Sequence, residues 1–183
     1  NTTSGEVSVA AGTPAGNYEL AYEICEILNP ANCDQAIVFV TVTPPQIVAN
    51  DDTGDPVNGF DGGVSEDNVL GNDLLNGSPV NPANVTLSEI TADPGLSLNT
   101  TTGEVSVATA TPAGSYELVY EFCEILNPAN CDQATVFVTV TEPEIIANDD
   151  IGDPVNEITG GISVQNVLIN DLLNGMPVTQ TNV

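Results

Sequence analysis

Two kinds of side chain in this sequence can do chemistry: clustered aspartates with flanking asparagines, and four cysteines. Asn50-Asp51-Asp52, with Asp55 just beyond, is followed further along by Asn72-Asp73. Asn148-Asp149-Asp150, Asp153 and Asn170-Asp171 repeat the arrangement. Hard divalent cations take about six to eight oxygens from carboxylates, amides and carbonyls, so calcium suits such a set. Asp51 and Asp52 beside Asp73 would repel one another without a cation. The same residue types also cap and turn the backbone, so a solvated acidic surface built on Asn-Asp turns stays open beside calcium. The spacing matches neither the EF-hand loop nor the glycine-aspartate nonapeptide of a calcium-binding β-helix. Asp61, Glu66 and Asp67 are replaced by Thr159, Val164 and Gln165 in the second copy, which marks them as exchangeable surface.

The cysteines fall as Cys25 and Cys33, then Cys123 and Cys131. Three chemistries compete for each pair. A reactive thiol needs a neighbouring positive charge or a helix N-terminus, and no cationic side chain exists here. A zinc knuckle needs other spacings and more ligands. A disulfide closing a loop of nine residues contributes about 2.5 kcal/mol in the chain-entropy model. The disulfide is the expected state, and it places the chain in an oxidising compartment.

Composition narrows function further. The 183 residues carry 26 Asp plus Glu and no Lys, Arg or His, for a formal net charge of −26. Nothing can neutralise a phosphate, which excludes nucleic acid and anionic membranes as partners and leaves cations as the natural ones. Ser-His dyads, Schiff-base lysines and imidazole metal sites are likewise absent, and no carboxylate pair stands out as catalytic, so no enzyme is expected. The 41% of hydrophobic residues still suffice for a core. No apolar run reaches the length of about 20 residues that a membrane helix needs. Nor does a secretory leader open the chain, so targeting signals are expected outside this segment.

The elements that must position these groups come in copies. Asn1-Thr2-Thr3-Ser4-Gly5-Glu6-Val7-Ser8-Val9 returns from Asn99 to Val107, an offset of 98, and residues 1–85 match 99–183 at about three-quarters of positions without a gap. That period is too long for a solenoid unit and fits one immunoglobulin-like domain. Pro44-Pro45 and Glu142-Pro143 punctuate the chain before each Ala-Asn-Asp-Asp segment. The expected organisation is therefore the C-terminal half of a repeat over 1–43, a complete repeat over 44–141 and the N-terminal half of the next over 142–183. Junctions this short and rich in proline predict a stiff rod.

Within the complete repeat, strands are predicted at 46–50, 64–70, 85–90, 96–98, 104–108, 116–124 and 134–141, with no helical periodicity. Alternation puts Tyr116, Leu118, Tyr120 and Phe122 on one face, with Ala134, Val136, Val138 and Val140. Those are core; Cys123 and Cys131 fall on the opposite side. The pattern predicts an all-β fold of tandem immunoglobulin-like β-sandwich domains.

Two stretches carry a resemblance. The run from Ala49 to Asn76 (ANDDTGDPVNGFDGGVSEDNVLGNDLLN) resembles the opening of cadherin-like bacterial tandem repeats. That likeness implies that the Ala-Asn-Asp-Asp and Val-Leu-x-Asn-Asp elements help bind calcium between domains. The run from Gly95 to Thr141, and above all Cys-Glu-x-Leu-Asn-Pro-x-Asn-Cys-Asp within it, is similar to repeats of the giant gliding-motility surface adhesins of flavobacteria. This second likeness implies export by the type IX system, a place on the bacterial cell surface and a filament that grips an external surface or polysaccharide. The expected function is a non-enzymatic length of adhesive rod whose partners are divalent cations and neighbouring repeats. A spacer stalk of a secreted enzyme and a self-assembling extracellular fibre are the alternatives.

Overall fold

The computed structural model describes all 183 residues, Asn1–Val183. It is built from short strands joined by tight turns, with a single 3₁₀ turn at Pro82–Asn84 as the only helical element. In chain order the strands are β1 (Gly16–Cys25), β2 (Cys33–Val42), β3 (Ile47–Val48), β4 (Asp52–Thr53), β5 (Val57–Asn58), β6 (Gly63–Glu66), β7 (Leu74–Leu75) and β8 (Ser78–Pro79). They continue as β9 (Val85–Ala92), β10 (Leu96–Leu98), β11 (Val105–Val107), β12 (Gly114–Glu124), β13 (Cys131–Thr141), β14 (Ile145–Ile146), β15 (Leu172–Leu173) and β16 (Met176–Pro177).

Two sheets face each other across residues 44–141. One has the order β4-β13-β12-β9, with β5 also paired to β13; the other has the order β10-β11-β6. A smaller sheet, β3-β7-β8, closes one end. The core is one cluster of 14 buried residues lying between Val57 and Val140. From β12 and β13 it takes Leu118, Tyr120, Phe122, Ala134, Val136, Val138 and Val140, the faces that alternation assigns. Val105 and Val107 of β11, with Leu96 of β10, oppose them. The fold is all-β and sandwiched.

Local sequence explains the turns. Asn76 and Gly77 both hold positive φ, 53° and 74°, between β7 and β8. That is the demand of a two-residue hairpin turn, which Asn-Gly meets at least cost. Asn99 Oδ1 accepts from the Thr101 and Thr102 amides, and Gly103 returns its own amide to the Asn99 carbonyl, which tightens the β10–β11 connection. The Tyr116 hydroxyl reaches back to the Pro112 carbonyl at 2.7 Å and anchors the start of β12.

Observed strands are shorter than periodicity suggests at the N-terminal side of the repeat: β3 and β6 cover only parts of 46–50 and 64–70. There the chain spends its polar groups on side-chain bonds instead of ladders. β4 and β5 pair in parallel with β13, at Asp52↔Val136 and Val57↔Val140, and so tie residues 52–58 to residues 136–141.

The two flanking segments form the same local elements with less cover. β1 and β2 make a hairpin whose apolar face is open, with a groove lined by Val7, Val9, Tyr18, Leu20, Val40 and Val42. β14, β15 and β16 form a small sheet that copies β3-β7-β8.

Candidate functional site

The Asn-Asp segments meet through hydrogen bonds. The Asn50 amide donates to Asp73 Oδ1 at 2.7 Å, and Asn50 Nδ2 donates to the Asn72 carbonyl at 2.9 Å. Asn72 Nδ2 answers by donating to the Asp51 carbonyl at 3.1 Å. The loop before β7 and the strand approach to β4 are thereby clamped together. Two carboxylates tie this segment to β13: Asp51 Oδ1 accepts from the Thr135 amide of β13 at 2.8 Å, and Asp132, itself on β13, accepts through Oδ2 from the Ala49 amide at 2.9 Å.

Beneath this clamp lies a buried polar trio. Asp73 is fully buried, and its Oδ2 accepts from the Tyr120 hydroxyl at 2.9 Å. That hydroxyl also lies 2.9 Å from the Val69 carbonyl and 3.2 Å from the Asn50 carbonyl, so its one proton faces several acceptors. Asp52 is buried at 7% exposure, and its Oδ2 has no hydrogen-bond partner. Burial pushes the Asp52 carboxyl up to about 7, and the charges of Glu66, Asp73 and Asp51 add to that, against the pull of the nearby Tyr120 hydroxyl. Burial also raises Asp73, against the pull of the Asn50 amide and the Tyr120 hydroxyl. Tyr120 is itself raised by burial and by the two carboxylates. A buried carboxylate that lacks a donor demands a proton or a cation.

The expected ligand residues divide accordingly. Hydrogen bonds bring Asn50 and Asp51 to the Asn72-Asp73 loop, and Asp52, next in the chain, is buried beside them. Asp55 is exposed and joins through its backbone, which exchanges bonds with Ser65. In the copy, the Asn148 amide donates to Asp171 Oδ1 at 2.8 Å, Asn148 Nδ2 to the Asn170 carbonyl at 2.7 Å, and Asn170 Nδ2 to the Asp149 carbonyl at 3.1 Å. Asp153 pairs with Ser163 as Asp55 does with Ser65, while Asp150 is exposed. Three acidic or thiol ligand atoms approach within 4.8 Å of one another only at Glu23–Cys25–Cys33 and Glu121–Cys123–Cys131, and those sulfurs are spent in disulfides. The aspartate set thus works first as a hydrogen-bond acceptor system.

Both cysteine pairs are bonded, Cys25 to Cys33 and Cys123 to Cys131, at directly facing positions of their hairpins. Each bridge closes the base of a Leu-Asn-Pro-Ala-Asn loop. Glu124, nine-tenths buried, accepts from Asn127 Nδ2 at 2.6 Å and Asn130 Nδ2 at 3.3 Å, filling the loop with its carboxylate. In the first copy Glu26 accepts from Asn29 Nδ2 at 2.7 Å and Asn32 Nδ2 at 3.0 Å, and these two bonds hold its carboxyl below the usual range.

Periodicity does not single out Tyr120, Asp132, Thr135 or Glu124. Tyr120 is legible only as a core residue, although a tyrosine on a buried face needs a partner for its hydroxyl, and that need is a usable signal. Glu124 lies two residues beyond Phe122, so alternation continues the core face of β12 onto it, and only its charge argues against burial.

No family model matches this chain, and no curated protein matches it either. Among solved structures it is similar to the human desmocollin-1 ectodomain, with 10% identity, a TM-score of 0.41, and 66% of this chain against 25% of that one. It is also similar to extracellular cadherin domains 3–6 of protocadherin gamma B2, with 15% identity, a TM-score of 0.39, and 68% of this chain against 33% of that one. The protocadherin gamma B4 extracellular domain gives 16% identity and a TM-score of 0.38 over 75% of this chain and 25% of that one. The chain spans a quarter to a third of the length of these neighbours.

Proposed function

We propose that this chain is a non-enzymatic length of a secreted adhesive rod on a bacterial cell surface, in which each repeat adds reach. In this reading residues 44–141 are one complete repeat, and 1–43 and 142–183 are halves of its neighbours. The observation that carries it is the repeated hairpin: β1–β2 and β12–β13 share register, disulfide and loop chemistry at an offset of 98. Repetition of a self-contained unit through a short proline linker serves distance better than it serves a cleft. The gliding-motility reading rests on the sequence resemblance of the second stretch and adds type IX export and grip on an external surface or polysaccharide.

Calcium belongs to the same reading. Asp51, Asp52 and Asp73, with Asn50, would hold it in the complete repeat, Asp149, Asp150 and Asp171, with Asn148, in the next, and Asp55 and Asp153 would lie at the margin. The partnerless Asp52 Oδ2 fits a cation. Calcium would supply charge compensation there and nothing else.

The rod is tested in the parent organism. Deleting repeats in frame should shorten the surface filament in electron micrographs and reduce attachment to glass in step. Full attachment with a shortened filament would favour a passive spacer. For calcium, calorimetry should show a higher melting temperature with the ion than with chelator, and superimposable traces would reject it.

A further inference from the structure

We propose that successive repeats lock through a two-point polar clasp made of protein groups alone, so that the seam holds its angle without metal. The first point lies between the first segment and the complete repeat, where the Ala15 amide donates to Asn127 Oδ1 at 2.7 Å. The second lies between the complete repeat and the segment after it. There Asn58 Nδ2 donates to Asn174 Oδ1 at 3.2 Å, and Asn174 Nδ2 donates to Asp61 Oδ2.

The two points belong to one kind of seam. In the complete repeat the Thr111-Pro112-Ala113-Gly114 turn, the counterpart of the turn holding Ala15, lies against the 58–61 loop. The Thr111 amide donates to the Gly59 carbonyl, and a Cβ on Gly59 would sit 2.1 Å from the Thr111 carbonyl oxygen. Both upstream partners therefore share one pole. At the opposite pole, Asn130 Nδ2 donates to the Pro45 carbonyl, and the Asn76 amide donates to the Gln46 carbonyl. The disulfide loop and the Asn-Gly tip thus flank the linker together. Moved by the 98-residue period, the two contacts fall at the same junction. The linker is fastened as well, since Asn58 Nδ2 also lies 3.5 Å from the Glu142 carbonyl.

Burial supplies an independent sign. Most of the last segment is more exposed than its copy, but the Asn-Gly tip runs the other way. Leu173 and Val178 are buried where Leu75 and Val80 are half-buried, and Asn174 is half-buried where Asn76 is exposed. The tip at 174 follows a whole repeat with a 58–61 loop, and the tip at 76 does not. The seams are also individual. Gly59-Phe60-Asp61 becomes Glu157-Ile158-Thr159 in the next copy, so the Asp61 contact is specific to one junction.

The clasp does not depend on the adhesive reading, and it is tested on the full chain by amide hydrogen exchange. The reporters are the Asn174 and Val178 amides, which donate to the Glu144 and Asp171 carbonyls. Asp61→Thr, which installs the residue of the next copy, should speed their exchange about fivefold, one net hydrogen bond's worth. Protection in β12 and β13 should stay unchanged. Asn174→Gly keeps the turn and removes the side chain, and it should act alike on Val178. Asn127→Ala should speed exchange of the Ala15 amide at the other seam. Wild-type protection should be the same in chelator. Unchanged exchange in Asp61→Thr would overturn the clasp, and so would chelator alone abolishing wild-type protection. That second result would instead favour calcium at the seam.

Discussion

The hairpins at 16–42 and 114–140 are one sequence in two surroundings. Their registers coincide, Gly16↔Val42 against Gly114↔Val140 and Cys25↔Cys33 against Cys123↔Cys131. Tyr18 bonds the Pro14 carbonyl as Tyr116 bonds that of Pro112, and Glu26 gathers two asparagines as Glu124 does. Burial separates them. Leu20, Tyr22 and Ile24 are 47%, 47% and 66% exposed, whereas Leu118, Tyr120 and Phe122 are fully buried. Strand, turn and disulfide are decided within about 30 residues, and the core needs the other sheet. The N-terminal halves teach the complement. The Asn148–Asp171 clamp forms without any hairpin beneath it, but only Asp73, with Tyr120 below, loses all contact with water.

The largest break in this comparison comes from the core. Phe122→Ala should cost about 3–5 kcal/mol in urea unfolding, while Ile24→Ala at the matching position should stay within about 0.5 kcal/mol. Equal losses would mean that the first hairpin is packed in solution.

Next comes pH. Asp52 has a folded value of about 7 against 3.8 for the free side chain, so the folded state holds a proton that the unfolded chain releases. In chelator, stability should therefore be highest near pH 4 and fall as pH rises to about 7, by about 4 kcal/mol from Asp52. Asp73, shifted the same way, adds to the slope. Asp52→Asn should remove most of that slope, and Asp150→Asn, at the exposed copy, should leave it alone. Denaturant midpoints across pH would check both.

Reduction is third. Opening Cys123–Cys131 should lower the stability of the sandwich whose core runs from Val57 to Val140 by about 2.5 kcal/mol, read as a shifted urea midpoint. Opening Cys25–Cys33 should leave that midpoint in place and instead fray β1–β2, seen as faster amide exchange.

The smallest effect sharpens the comparison at one backbone position. Gly12 at φ 82° in the first copy is Ala110 at φ 61° in the second, a left-handed conformation that a Cβ opposes. Ala110→Gly should raise stability by about 0.5 kcal/mol, and a drop in the thermal midpoint would contradict the strain.

The sequence by itself determined the repeat, its period, the core faces of β12 and β13, and the facing cysteines. Each follows from near neighbours: alternation sorts side chains, and a tight loop sets two strands in register. It also marked the Asn-Asp segments as special without saying how. Tertiary structure decided what those aspartates face. The parallel pairing of β4 and β5 with β13 joins residues 84 and 83 apart, and two-residue strands carry no period to read. Burial of Asp52 and Asp73 against Tyr120 follows from that long-range closure. An aspartate's residue type records its charge, and only the assembled fold sets how much water it keeps.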